Sequence, residues 1–197
     1  GVIMTTRNTP VTVPKNTAFN LYSGTVTGTY APTTSRVSVK VNGGTFNMYG
    51  GAIKDGCSLT TATYADKNTH GGNVQILGGT FNMYGGEVAN GKSTWVGGNI
   101  FVTVGGAINL YGGQITGGVA VTYGGNIWSA GKVVMEGGTV SGGKCYNYTT
   151  KKLNETSTNF NLFVVNGTFK MYGGTVIGGM ANLTFTKNHA TGEVTVS

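Results

Sequence analysis

The chain has 197 residues, enough for one domain with a real core. Glycine supplies 36 of them and proline only 3, without a Gly-X-Y period, which excludes collagen; apolar residues make up 39% and are patterned, which excludes disorder. Charged residues are only 10% and the net charge is +7, with the basic side chains scattered, so acid–base chemistry has few groups to draw on and no nucleic-acid-binding motif emerges.

Residues 1–16 read as an N-terminal segment with a first strand, Val11-Thr12-Val13, set between Pro10 and Pro14. No secretory leader is visible, which fits a mature or excised segment. No apolar run reaches the length of a membrane span.

Residues 17–186 repeat one unit. Its clearest copies are Gly43-Gly44-Thr45-Phe46-Asn47-Met48-Tyr49-Gly50-Gly51 and Gly78-Gly79-Thr80-Phe81-Asn82-Met83-Tyr84-Gly85-Gly86. The closing glycines Gly24, Gly51, Gly86, Gly113, Gly138 and Gly174 are 27, 35, 27, 25 and 36 residues apart. Each unit offers three short strand-like pieces separated by glycine pairs, which permit positive-φ corners.

Period-2 alternation assigns the faces. One column holds Phe19, Phe46, Phe81, Ile108, Val133 and Phe169. The next inward column holds Leu21, Met48, Met83, Leu110, Met135 and Met171, and a third holds Val26, Ile53, Val88, Ile115, Val140 and Val176. All three are apolar throughout and form the expected core ladder. The outward columns are Asn20, Asn47, Asn82, Asn109, Val134, Lys170 and Tyr22, Tyr49, Tyr84, Tyr111, Glu136, Tyr172.

This pattern predicts an all-β fold, a parallel β-helix (β-solenoid) of about six to seven rungs of three short strands with little or no α-helix. At about 4.8 Å per strand, six rungs stand on the order of 30 Å tall. The extra residues fall after the third piece, at 31–36, 57–72, 92–98, 119–125 and 144–160, and predict one loop-rich face. Residues 187–197 read as a last strand or cap, carried by Glu193-Val194-Thr195-Val196. The whole, 1–197, reads as a single domain.

The Gly-Gly-Thr-Phe-Asn-Met-Tyr-Gly-Gly-x-Val/Ile pattern, from Thr17 to Phe185, resembles the glycine-rich repeats of bacterial cell-surface proteins. Those repeats are similar in fold to the right-handed parallel β-helix, or pectate-lyase-like, superfamily. The resemblance implies a right-handed coil, an extracellular setting and an adhesive or stalk-forming role. The carbohydrate-cleaving members of that superfamily carry catalytic carboxylates on the outside of the helix, and no such cluster matches here.

The acids are Asp55, Asp66, Glu87, Glu136, Glu155 and Glu193. Sugar hydrolysis needs two of them facing across one sugar, and the columns do not pair them. Asp55 and Asp66 flank one loop that also carries His70, too few oxygen ligands for calcium. His70 and His189 read as exposed loop side chains. No catalytic residue, metal ligand or cofactor is expected.

The tyrosines Tyr22, Tyr49, Tyr84, Tyr111 and Tyr172 predict an outer aromatic ladder. It either stabilises its own strands or serves as a ligand platform. The asparagines Asn73, Asn99, Asn126, Asn161 and Asn182 predict an inward hydrogen-bonded ladder at a corner. Cys57 and Cys145 start the two longest loops. A disulfide between them, free thiols and intermolecular pairing all stay open.

Both ends of the stack carry strands, and open strand edges template further pairing. The chain therefore reads as a non-enzymatic, extracellular or cell-surface structural or adhesive protein. Its partners would be further copies of itself, stacked head to tail into a fibre or stalk, together with glycans or other cell-surface proteins. The competing reading is a carbohydrate-binding or polysaccharide-processing protein that uses the loop face or the tyrosine column.

Overall fold

The fold is taken from a computed structural model, which describes residues 1–5, 9–28, 37–58, 70–146, 161–178, 180–181, 185–187 and 194–196. Within them the chain is all β, with 24 strands and no helix. Val2–Thr5 (β1) precedes a first unit of Val11–Pro14 (β2), Ala18–Leu21 (β3) and Thr25–Gly28 (β4). The second unit is Val39–Met48 (β5), Ala52–Lys54 (β6) and Cys57–Ser58 (β7). The third is Val74–Met83 (β8), Glu87–Ala89 (β9) and Lys92–Ser93 (β10). The fourth is Ile100–Val102 (β11), Gly106–Leu110 (β12), Gln114–Thr116 (β13) and Val119–Ala120 (β14). The fifth is Ile127–Ser129 (β15), Lys132–Met135 (β16), Thr139–Ser141 (β17) and Lys144–Cys145 (β18). Leu162–Val164 (β19), Thr168–Met171 (β20) and Thr175–Ile177 (β21) make the sixth, and Met180–Ala181 (β22), Phe185–Lys187 (β23) and Val194–Val196 (β24) follow.

Equivalent strands of successive units pair in parallel. One sheet runs β1-β4-β6-β9-β13-β17-β21, with Val26, Ile53, Val88, Ile115, Val140 and Val176 in one register line. A second, of four strands, runs β7-β10-β14-β18. The third has 13 strands and gathers the first and second pieces of all six units.

The right-handed parallel β-helix with rungs of three short strands, expected from the sequence, needs correction. The first and second pieces are continuous through the ten-residue β5 and β8, which join two strand columns into the one large sheet. From the second to the fifth unit a further two-residue strand follows the third piece, where only loop was expected. The last strands do not add a turn: β24 runs antiparallel to both β20 and β23. The structure is an all-β assembly of parallel sheets with an antiparallel closure at one margin.

The core columns are buried. Phe46, Phe81, Ile108 and Phe169, and Met48 and Met83, are fully covered, and Val133, Leu110 and Met135 nearly so. Phe19 at one end and Met171 and Val176 at the other are only partly covered, and Leu21 is buried. The closing glycines have two reasons to be glycine. Gly86 has φ +83°, and a Cβ there would lie 2.5 Å from the carbonyl oxygen of Gly51 in the unit before. Gly51 repeats the relation against Gly24.

A buried asparagine ladder joins the third to sixth units, and Asn182 lies outside the described residues. Asn73 Nδ2 donates to Asn99 Oδ1, Asn99 to Asn126 and Asn126 to Asn161, each at 2.7 Å. Each Oδ1 also accepts a backbone N–H from the turn before the short strand, at Gly56, Gly91, Gly118 and Gly143. The second amide hydrogens go to the carbonyls of Ala89, Thr116 and Ser141. Ser38 takes the same place in the second unit, its Oγ accepting from Gly28 N. A buried polar column is stable only when satisfied in this way.

Candidate functional site: the outer tyrosine and asparagine columns

The outward face of the second pieces carries two ladders side by side. Asn47 Nδ2 donates to Asn20 Oδ1 at 2.9 Å, Asn82 to Asn47 at 2.9 Å and Asn109 to Asn82 at 2.8 Å. Two residues on, the rings of Tyr22, Tyr49, Tyr84 and Tyr111 stack with centroids 5.0, 4.9 and 4.8 Å apart and planes within 8°. The strand spacing sets that distance, because in-register parallel strands place identical side chains one above another.

Through this stretch each ring covers the faces of its neighbours. What points to solvent is the ring edge and a row of hydroxyls. A sugar that needs a flat aromatic face finds none in the continuous part of the column. Of the two roles open to the column, self-stabilisation accounts for Tyr22 to Tyr111.

Both ladders break in one unit. On β16 the outward-parity positions Lys132 and Val134 pair in register with Ala107 and Asn109 on one side and Thr168 and Lys170 on the other, and Glu136 follows just beyond the strand. Glu136 occupies the tyrosine position. The backbone pairing continues undisturbed: Tyr111 N, Glu136 N and Tyr172 N each donate to the preceding unit at 2.8 Å. Tyr111, Glu136 and Tyr172 therefore stand in line at single strand steps. Around the break lies an open groove of about 760 Å³ lined by Asn109, Tyr111, Lys132, Val134, Glu136, Lys170 and Tyr172.

The other sequence-derived candidates do not converge. Asp55 sits at a left-handed turn (φ 58°) ahead of β7, Glu87 opens β9, and Glu136 stands two units further along on another sheet. Asp66, Glu155, Glu193 and His189 lie outside the described residues, as do most of the long inserts. Among the described residues no three His, Cys, Asp or Glu side chains gather as a metal site. No helix among them is long and apolar enough to cross a membrane.

The structure overturns one expectation and narrows one choice that the sequence left open. His70 is buried, not exposed, with its ring 4.6 Å from that of Phe101. Of the alternatives left open for Cys57 and Cys145, a disulfide between them does not form. Both cysteines are buried and outside any disulfide, on β7 and β18, the two outermost strands of the four-stranded sheet. Three strand steps put them about 14 Å apart, twice the reach of a disulfide. They also face opposite ways, since Cys57 is in line with Lys92, Val119 and Lys144 while Cys145 follows Ser58, Ser93 and Ala120. Burial pushes the Cys57 thiol up to about 11 against the pull of the Lys92 ammonium. Burial does the same at Cys145, to about 11, against a backbone hydrogen bond at Gly125. Neither is a nucleophile near neutral pH.

Sequence reading missed a second aromatic column. Phe101 and Trp128 stack at 4.9 Å, Trp128 pairs in register with Phe163, and Tyr123 stacks on Phe163 at 4.6 Å. Alternation places Phe101 and Phe163 outward, yet both are buried. His70 and Tyr123 lie over them from the connecting segments, so this face is a small second core. The signal was present in Phe101, Trp128 and Phe163 at one position of successive units.

No family model, curated protein or solved structure matches the chain. The likeness to glycine-rich cell-surface repeats rests on the residues quoted for it.

Proposed function

We propose that this chain is a rigid structural or adhesive element of a cell surface, and that its copies join end to end. One observation carries the proposal: the apolar core columns run unbroken through the stack and end in partly covered residues at both extremities. Phe19 stands at one end, and Met171 and Val176 at the other. Ile177 beside Val176 is 58% exposed. Partly covered core residues at an open strand edge are an invitation to pairing.

The topology narrows the route. In the large sheet β24 lies antiparallel along β20, so that margin is occupied. In the seven-stranded sheet β1 and β21 each pair on one side only among the described residues. A second copy would join there, its Val2–Thr5 alongside Thr175–Ile177 of the first. Rigidity is supported by the ladders, in which asparagine amides and tyrosine faces are largely occupied by the neighbouring units. An extracellular setting is part of the same proposal.

Sedimentation velocity over a concentration series tests the proposal. The native chain is expected to form concentration-dependent species larger than a monomer, and Val176→Asp to remain monomeric. A monomer at every concentration for both proteins would defeat it.

A further inference from the structure

The break in the outer ladders has the dimensions of a binding slot. Tyr111 and Tyr172 are two strand steps apart, about 9.6 Å. One planar group inserted midway would lie about 4.8 Å from each, the spacing that the tyrosines themselves keep. The native occupant of that level, Glu136, is an exposed side chain without a ring.

The polar rim comes from the same interruption. Along the asparagine ladder each Oδ1 receives a hydrogen from the next unit, but the unit after Asn109 presents Val134, which has no donor. The Asn109 carbonyl oxygen thus ends the ladder at the groove that Asn109 lines. Glu136 adds a carboxylate, and Lys132 and Lys170 add two ammonium groups. Val134, 8% exposed, forms an apolar floor.

We propose that the Glu136 gap in the tyrosine ladder binds one pyranose ring of a glycan, held between Tyr111 and Tyr172. A pyranose with equatorial hydroxyls has two C–H faces to meet two rings, and hydroxyls at its edge that both donate and accept. The rim supplies both kinds of partner: acceptors in Asn109 and Glu136, donors in Lys132. An arginine side chain also stacks on tyrosine and pairs with a carboxylate, but the Lys132 ammonium here opposes it. A purely aromatic guest would leave the polar rim unmatched. The slot is independent of end-to-end assembly, and either proposal can fail without the other.

The test is calorimetric titration of the full chain with cellohexaose and chitohexaose, with an arginine hexapeptide as the competing probe. The decisive variant is Glu136→Tyr, which completes the ladder, keeps the fold and fills the slot. Native protein is expected to bind at least one of the two sugars. Glu136→Tyr and Tyr172→Ala are each expected to weaken binding about tenfold or more, while Tyr22→Ala, at the far end of the ladder, leaves it unchanged. A melting temperature for Glu136→Tyr at or above that of the native chain shows that the loss is not unfolding. Sugar binding that survives Glu136→Tyr, or that Tyr22→Ala reduces equally, overturns the proposal. So does failure of both sugars to bind at millimolar concentration, or binding of the arginine peptide in preference to them.

Discussion

Asn99 Nδ2 donates to Asn126 Oδ1 at 2.7 Å inside the stack, while Asn99 Oδ1 accepts from Asn73 at 2.7 Å and from Gly91 N at 2.8 Å. With the bond to the Thr116 carbonyl, this one side chain joins three successive units and the turn beside them. Asn99→Ala leaves unpartnered donors at Asn73 and Gly91, whereas the Thr116 carbonyl keeps the Asn90 N–H. At about 1–3 kcal/mol for each orphaned group, the variant should lose on the order of 3–5 kcal/mol. Asn82→Ala, in the outer ladder, should lose less than about 1.5 kcal/mol. Urea unfolding of the two variants measures the contrast.

The closing glycines give a second test. Gly86→Ala places a β-carbon at φ +83° and 2.5 Å from the Gly51 oxygen. Strain and the loss of close approach should cost about 1–3 kcal/mol. Gly105, whose Cβ position meets nothing within 4 Å, should accept alanine with little change. Thermal unfolding of both variants distinguishes a corner requirement from general glycine tolerance.

Removing one ring from the outer ladder should cost in proportion to the neighbours that it loses. Tyr84 stacks on Tyr49 and Tyr111, whereas Tyr22 stacks on Tyr49 alone. At about 0.5–1.5 kcal/mol per ring pair, Tyr84→Ala should destabilise by roughly twice as much as Tyr22→Ala. Equal losses would show that the rings contribute by simple burial.

Much of this architecture could be read from residue order. Phe46, Met48 and Ile53 recur with period-2 spacing, and only stacking can bury such short pieces. The corner asparagines were legible because each opens the first piece of its unit, and Asn73, Asn99 and Asn126 follow glycine pairs. The strand formed by Lys92–Ser93 and its equivalents was not, since two residues show no periodicity. Nor was the antiparallel return of Val194–Val196, because alternation is the same in either direction. Phe101 and Phe163 had outward parity, and their burial depends on Tyr123 and His70 arriving from the connecting segments. At the candidate site the column break at Glu136 was visible. The alignment of Tyr111 with Tyr172 across it needed the register.

The two thiols make stability fall in alkali. Both have folded values near 11 against an ordinary value of 9.0. Between those limits the unfolded thiols ionise while the folded ones keep their protons. The folded state then binds more protons, and stability drops as pH rises, by about 1.4 kcal/mol per pH unit for each thiol. Below pH 9 this contribution is constant. Comparing unfolding free energies of the native chain and a Cys57→Ala/Cys145→Ala variant from pH 8 to 11 isolates the effect, because the other titrations cancel. Native protein should also resist thiol reagents at pH 7 until unfolded.

The central claim is that copies of this chain continue one another end to end. Negative-stain electron microscopy of the purified protein at increasing concentration tests it most directly. End-to-end joining predicts unbranched filaments one molecule wide that lengthen with concentration and vanish in Val176→Asp. Uniform single particles at every concentration, with the native and variant proteins indistinguishable, would contradict it.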